Sequence, residues 1–371
     1  MVLGLFGSLL EHGGIERHNR IVGVALSEIA RERGEECELL SLNDGPGVVS
    51  YAVAGREYPA TGFGRSKARL VAHTLGLVRG SSVAYLGHNN FAPVGVLLGA
   101  VNAELRFCVA THGFEVWQPL KAWERLALQV AAGVTAPSRS TFDCLVELQG
   151  LNPRRVTLLP HCLDPGFADS VRPGAGSSSV TEPGLVLTVG RLLEREPGKG
   201  VDVIIRALPL VIRAAPQTTF VVVGDGDLRP ALESLAVSTG VSERVRFVGS
   251  VSDAELRDWY RKADVFVMPS RQEGFGIVFL EAMAFGVPVI GGAVGGTPDI
   301  ISDGVTGYLV EYGDTGALAD RLVRLLGDPE QRRRMSVAAR EHVAKNYTFD
   351  LFRNRLRRLL DGSPASSRLE P

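Results

Sequence analysis

The stretch DVFVMPSRQEGFGIVFLEAMAFGVPVIGGAV, residues 264–294, holds the pattern that decides the fold. DVFVMPS (264–270) and VPVIGGAV (287–294) are short apolar runs with the length and β-branched content of buried strands. Between them, GFG (274–276) leads into IVFLEAMAFG, which has the composition of a helix. Strand, helix and strand in that order mean two parallel strands joined by a crossover helix. The same stretch carries two carboxylates, Glu273 in the loop just past the first strand and Glu281 inside the helix. A charged side chain is rarely buried without a partner, so their presence in an apolar segment needs a reason.

The alternation runs outward from there to both ends of the chain. On the N-terminal side VLGLFG (2–7), CELLSL (37–42), SVAYLG (82–87), RFCVAT (106–111), GVTAPS (133–138) and RVTLLP (155–160) are expected strands. After the first of them Ile15, Val22, Leu26 and Ile29 recur at helical spacing. Around DPGFADSVRPGAGSSSVTEPG the periodicity stops, and Gly, Pro and Ser dominate, as in a linker. A second series follows: LVLTVG (185–190), TFVVVG (219–224), VRFVGS (245–250), the two strands quoted above, and GYLVEY (307–312). The expected fold is therefore α/β, two doubly wound Rossmann-like domains facing a cleft. The domains span 1–165 and 185–345, with a linker at 166–184 and a last helix at 346–361. Neither half reads as a tandem repeat of the other.

Length and composition agree with two globular domains, since 371 residues exceed one ordinary core. Forty Lys and Arg against 41 Asp and Glu leave a net charge near zero, which argues against a nucleic-acid partner. The four cysteines, Cys37, Cys108, Cys144 and Cys162, have no C-x-x-C spacing, so neither a zinc site nor a redox motif is expected from them. They read as small core residues of a reducing compartment. MVLGLFGSLL lacks a basic lead and reads as a first buried strand rather than a secretory signal. APVGVLLGAV (92–101) is about half the length a membrane span requires. A soluble cytoplasmic protein is expected on these grounds.

Ligands of doubly wound folds bind at the carboxyl ends of strands, and the residues that follow the strands are the candidates. Gly13 and Gly14 stand where the first strand turns into a helix, suited to cradling a phosphate on backbone amides and equally to an ordinary tight turn. His112 directly follows the strand RFCVAT, in either a catalytic or a structural role. Arg191 and Lys199 bracket the loop RLLEREPGKG and suit a diphosphate; the other reading is a solvated loop in which Glu194 or Glu196 pairs with them. DGDLRPAL (225–232) lacks the third glycine of a dinucleotide fingerprint. Glu273 and Glu281 are separated enough to hold two ends of one polyhydroxy ligand, with the Gly274, Phe275 and Gly276 turn between them. The simpler reading projects Glu281 to solvent.

Taken together these residues resemble glycosyltransferase family 4, retaining nucleotide-sugar-dependent transferases of GT-B architecture. SRQEGFGIVFLEAMAFGVPVIGG, VGRLL with the later KG, VVVGDGDLRPAL, VRFVGSVSDAEL, GGTPDIISDGVTGYLV and GGIERH resemble family segments in the family's order. The resemblance is dense over 185–312 and thinner before. It implies that Glu273 holds hydroxyls of the transferred sugar, that Glu281 binds the ribose, and that Arg191 and Lys199 neutralise the leaving diphosphate. Amides at Gly13–Gly14 and Gly274–Gly276 assist, and His112 sits beside the sugar. It implies also that YTFDLFRNRLRRLL (347–360) returns to pack on the first domain, and that no metal and no cofactor beyond the nucleotide-sugar co-substrate is needed. One departure is LEREPG, which lengthens the loop between Arg191 and Lys199.

The expected activity is transfer of a hexose-type sugar from a UDP- or GDP-linked donor to a hydroxyl of a glycan, a lipid-linked saccharide or a small molecule. A nucleotide-sugar epimerase and a non-enzymatic sugar-nucleotide-binding protein are the alternatives; both lack transfer to an acceptor. WQPLKAWERLAL (117–128) aligns Trp117, Leu120, Trp123 and Leu128 with Lys121 and Arg125 nearby, either as core or as a peripheral contact with the inner face of a membrane.

Overall fold

The computed structural model describes residues 1–11, 13–171, 182–194 and 198–363. The chain separates into two compact units, Met1–Gly166 together with Thr348–Pro371, and Phe167–Tyr347. Within the expected linker, residues 172–181 lie outside the described residues. Its opening DPGFADS includes a short helix, Pro165–Ser170.

The first unit holds an eight-stranded sheet. Its strands are β1 (Val2–Phe6), β2 (Cys37–Ser41), β3 (Gly47–Val53), β4 (Arg56–Gly62), β5 (Val83–Leu86), β6 (Arg106–Ala110), β7 (Gly133–Ala136) and β8 (Val156–Leu158). Their spatial order is β3-β4-β2-β1-β5-β6-β7-β8. Every pairing is parallel except β3 with β4. That hairpin is absent from the sequence reading, for a physical reason. Its turn is Ala54–Gly55, with φ of 49° and 75°, so the Asn-Gly or Asp-Gly signature of such turns is missing. Its outer strand is also half-exposed, which removes the apolar run that marks a buried strand.

Successive strand residues face opposite sides of a sheet, and β1 shows it. Leu3 and Leu5 join a cluster with Leu86, Val109 and Val134, while Val2 and Phe6 join Ile21, Val22 and Leu26 of helix Gly14–Glu32. The second cluster also takes Phe352, Leu356, Leu359 and Leu360 from the last helix, Phe349–Asp361. Salt bridges Arg353–Glu28, at 2.6 Å, and Arg357–Glu32 border that packing. Free Cys108 and Cys162 are buried there, whereas Cys37 and Cys144 are half-buried. Burial pushes the Cys108 thiol up to about 12 and the Cys37 thiol up to about 11, so both stay protonated and unreactive near neutrality.

The second unit is a six-stranded, wholly parallel sheet. It comprises β9 (Leu185–Val189), β10 (Thr219–Val223), β11 (Val245–Gly249), β12 (Val265–Met268), β13 (Val289–Gly292) and β14 (Gly307–Val310). The order β11-β10-β9-β12-β13-β14 is the doubly wound 3-2-1-4-5-6 arrangement. Its direction of winding reverses between β9 and β12, where such sheets open a crevice beyond the strand ends. The strand–helix–strand of 264–294 is β12, helix Ile277–Ala284 and β13, in parallel register.

Candidate functional site

In the second unit, the loops after β9 and β12 meet at this reversal point. The Arg271 amide donates to the Gly198 carbonyl at 2.7 Å, tying one loop to the other. Lys199 Nζ then reaches Glu273 Oε2 at 2.7 Å. Lys199 and Glu273 are thus brought together, and the partner of Lys199 is Glu273 rather than Glu194. Glu194 is exposed, and its amide donates to Asp227. Glu196, the other carboxylate considered for this loop, lies outside the described residues. Arg191 is exposed at the start of the same loop.

Both loops end in a glycine with left-handed backbone that opens a helix. Gly200, at φ 79°, precedes helix Val201–Ala214, and Gly276, at φ 97°, precedes helix Ile277–Ala284. A Cβ at Gly276 would come within 2.6 Å of the Phe279 ring, so a side chain is excluded there by both conformation and space. Among the described residues no side chain caps either helix start, nor that of helix Gly14–Glu32 after Gly13. Helices starting at Lys67, Asp253, Thr315, Pro329 and Phe349 are capped by Ser66, Ser252, Asp314, Asp328 and Thr348. Uncapped amides at a helix start are suited to an anion.

Glu281 is only 1% exposed, which overturns the reading that projects it to solvent. Its Oε2 accepts a hydrogen bond from the Tyr260 hydroxyl at 2.8 Å. The Tyr260 ring stacks on Phe285, centroids 5.8 Å apart. A buried carboxylate needs such partners. Phe275 is buried, and the Gly296 amide donates to the Glu273 carbonyl at 2.8 Å, which holds the turn that leads into it.

In the first unit the turn after β1 is held by a buried network that sequence reasoning missed. Asp44 accepts from Ser8 Oγ at 2.6 Å, from Ser41 Oγ at 2.6 Å and from the Leu9 amide at 2.8 Å. This fixes the path into Gly13 and Gly14; His12 lies outside the described residues. His112 follows β6 and is buried. Its Nε2 pairs with the Gly87 carbonyl at 2.8 Å, and its amide donates to Glu115.

His112 does not stand alone. His18, from helix Gly14–Glu32, and His161, after β8, are buried beside it, with their rings stacked at 3.8 Å between centroids. His18 and His112 lie 5.7 Å apart, and His88 lies 5.5 Å from His112. Burial, aided by the neighbouring imidazoles, holds His18 and His161 well below the usual histidine range. Burial, then His112, lowers His88 to about 4. No local signal in GGIERH or LLPHCLDPGF marks His18 or His161 as members of one cluster; strand order alone assembles it.

The expected apolar stripe of 117–128 is rearranged. The helix begins only at Ala122 and runs to Val130, so Trp117 and Leu120 are not on it. They pack on the core, and Leu128 is buried. The exposed face is Trp123 at 54%, Leu126 at 60% and Val130 at 48%.

Comparison with known proteins follows the same lines. Residues 175–342 match the family described as Glycosyl transferases group 1. The chain is 35% identical over 273 residues to a protein of Mycolicibacterium smegmatis named GDP-mannose-dependent alpha-(1-6)-phosphatidylinositol monomannoside mannosyltransferase, covering 69% of this chain and 70% of that one. It is 39% identical over 175 residues to the monoacylated-substrate counterpart of Corynebacterium glutamicum, spanning 45% of each. It is 37% identical over 229 residues to the D-inositol 3-phosphate glycosyltransferase of Frankia alni, covering 57% of this chain and 55% of that one. Among solved structures, Anabaena Alr3699/HepE in complex with UDP is similar with a TM-score of 0.74 at 20% identity, covering 97% of this chain and 99% of that one. WaaG, a glycosyltransferase involved in lipopolysaccharide biosynthesis, is similar with a TM-score of 0.69 at 19% identity, covering 98% and 100%. The chain belongs to the group 1 glycosyl transferases, enzymes of the GT-B fold.

Proposed function

We propose that this protein transfers a hexose-type sugar from a UDP- or GDP-linked donor to an acceptor hydroxyl, with retention at the anomeric carbon and without a divalent metal. The observation that carries this reading is the Lys199–Glu273 pair at 2.7 Å, between two glycine-opened helix starts at the reversal point of the second sheet. A bound donor would give each group a matching partner. The diphosphate offers oxygens to Lys199, to Arg191 and to the bare amides, and the sugar offers hydroxyls to Glu273. Glu281 accepts from the ribose. Breaking the sugar–phosphate bond puts negative charge on the diphosphate, where Arg191 and Lys199 stabilise it. One such group is worth about 3 kcal/mol of barrier. The developing positive charge lies at the anomeric carbon beside Glu273. Front-face attack follows, with a phosphate oxygen taking the acceptor proton. A donor screen that measures nucleoside diphosphate release, with and without acceptor, tests it. Conversion of the donor sugar with no acceptor-dependent release would favour the epimerase reading instead.

The names of the mannosyltransferase relatives point to a lipid-borne acceptor, and one surface supports it here. Trp123, Leu126 and Val130 are exposed at helical spacing on one face, beside exposed Lys121 and Arg125. No described helix is long and apolar enough to cross a membrane, so contact would be peripheral. Cosedimentation with vesicles rich in anionic lipid should be lost in Trp123→Glu/Leu126→Glu. Equal sedimentation of both proteins would instead favour a small phosphorylated polyol, the kind of acceptor named in the inositol-phosphate relatives.

A further inference from the structure

We propose that His18, His112 and His161 form a site for a divalent transition metal ion of the zinc class, one that transfer does not require. The three residues come from distant parts of the chain and converge in the first unit. One nitrogen of each lies within 4.8 Å of the others, and all three side chains are buried.

The hydrogen bonding of His112 defines its donor atom. Only a protonated nitrogen can pair with a carbonyl, so Nε2, at 2.8 Å from the Gly87 oxygen, carries the hydrogen. The lone pair is therefore on Nδ1, which is buried with no hydrogen-bond partner. A ring held by a backbone carbonyl through one nitrogen, with the other nitrogen bare, is how ligating histidines are oriented. His18 Nδ1 is likewise buried without a partner. Buried polar atoms normally find partners, and a bound ion would provide one to both.

The donor set selects the ion. Three imidazoles suit zinc, copper or nickel, whereas magnesium and calcium take oxygen ligands. Three histidines also leave a fourth position open, as zinc permits. The rings are not yet in a ligating arrangement, since His18 and His161 stack at 3.8 Å with planes only 17° apart. In a tetrahedral site with bonds of about 2.0–2.1 Å, ligand nitrogens lie about 3.4 Å from one another. The nitrogens lie within 4.8 Å of one another, so binding draws them together by at most about 1.4 Å and turns one stacked ring.

The family resemblance also implies that His112 sits beside the transferred sugar. To the extent that the inference rests on that reading, an ion on its Nδ1 would block transfer, and removing the ion would restore it.

The test uses the full chain, stripped with chelator and dialysed against zinc, with bound metal measured by mass spectrometry. One zinc per chain is expected, and no magnesium. Roughly hundredfold weaker binding is expected in His18→Gln and in His161→Gln, with circular dichroism confirming their fold and His342→Gln as an unaffected control. Cobalt(II) added to the unaltered protein should give the intense visible absorption of a tetrahedral nitrogen site, a readout independent of any variant. No zinc uptake, or uptake that survives in both variants, overturns the site. Zinc bound without inhibition of transfer upholds the site and removes His112 from the sugar.

Discussion

Lys199 Nζ lies 2.7 Å from Glu273 Oε2, joining the loops that follow two adjacent strands, β9 and β12, where the winding of the sheet reverses. The side chains are 30% and 12% exposed, so solvent screens the pair only in part. Its value is positional: an ammonium and a carboxylate are already held together, and on the proposed mechanism a donor would exchange their mutual contact for phosphate and hydroxyl contacts.

Glu273→Ala should therefore leave nucleoside diphosphate affinity unchanged or slightly tighter, because Lys199 is released from its carboxylate. Turnover should fall about a hundredfold or more, since the sugar loses its grip. Calorimetry with the diphosphate and a release assay measure the two. A tenfold loss of diphosphate affinity would contradict the division of labour.

Arg191→Ala should lower turnover by about a hundredfold while the melting temperature stays within a few degrees. The residue is exposed in a loop, and its proposed contribution is to the leaving group. Normal turnover in the folded variant would take Arg191 out of the mechanism.

Glu281 holds the Tyr260 hydroxyl, and its proposed contact with ribose is separable from that bond. Glu281→Ala should destabilise the fold by about 1–3 kcal/mol, because the buried Tyr260 hydroxyl loses its carboxylate acceptor. Glu281→Gln keeps an acceptor for that hydroxyl and should melt close to the unaltered protein. Its diphosphate affinity should nonetheless drop about tenfold, the worth of one charge-assisted hydrogen bond to ribose. Unchanged affinity in Glu281→Gln would make Glu281 a partner of Tyr260 alone.

Turnover should continue in excess EDTA, because in the proposed mechanism Arg191, Lys199 and the amides at Gly200 and Gly276 supply the positive charge at the diphosphate. Activity abolished by EDTA and restored by magnesium or manganese would contradict that assignment.

The sequence by itself determined the alternation of strands and helices and the glycine-opened loops after them. Strand and helix periods of 2 and 3.6 and the backbone freedom of glycine are local properties. For the same reason GFG (274–276) before IVFLEAMAFG could be read as a helix start without knowing what surrounds it. The tertiary structure alone decided which residues meet. Lys199 found Glu273 across a strand pairing, and Glu281 found Tyr260 from the preceding helix. His18, His112 and His161 converged because β1, β6 and β8 share one sheet. Leu128 turned inward and Leu126 outward because the helix begins at Ala122, a boundary the residue pattern of 117–128 does not reveal. Partners of this kind follow from strand order and helix packing, which depend on the burial of the whole chain rather than on any window of it.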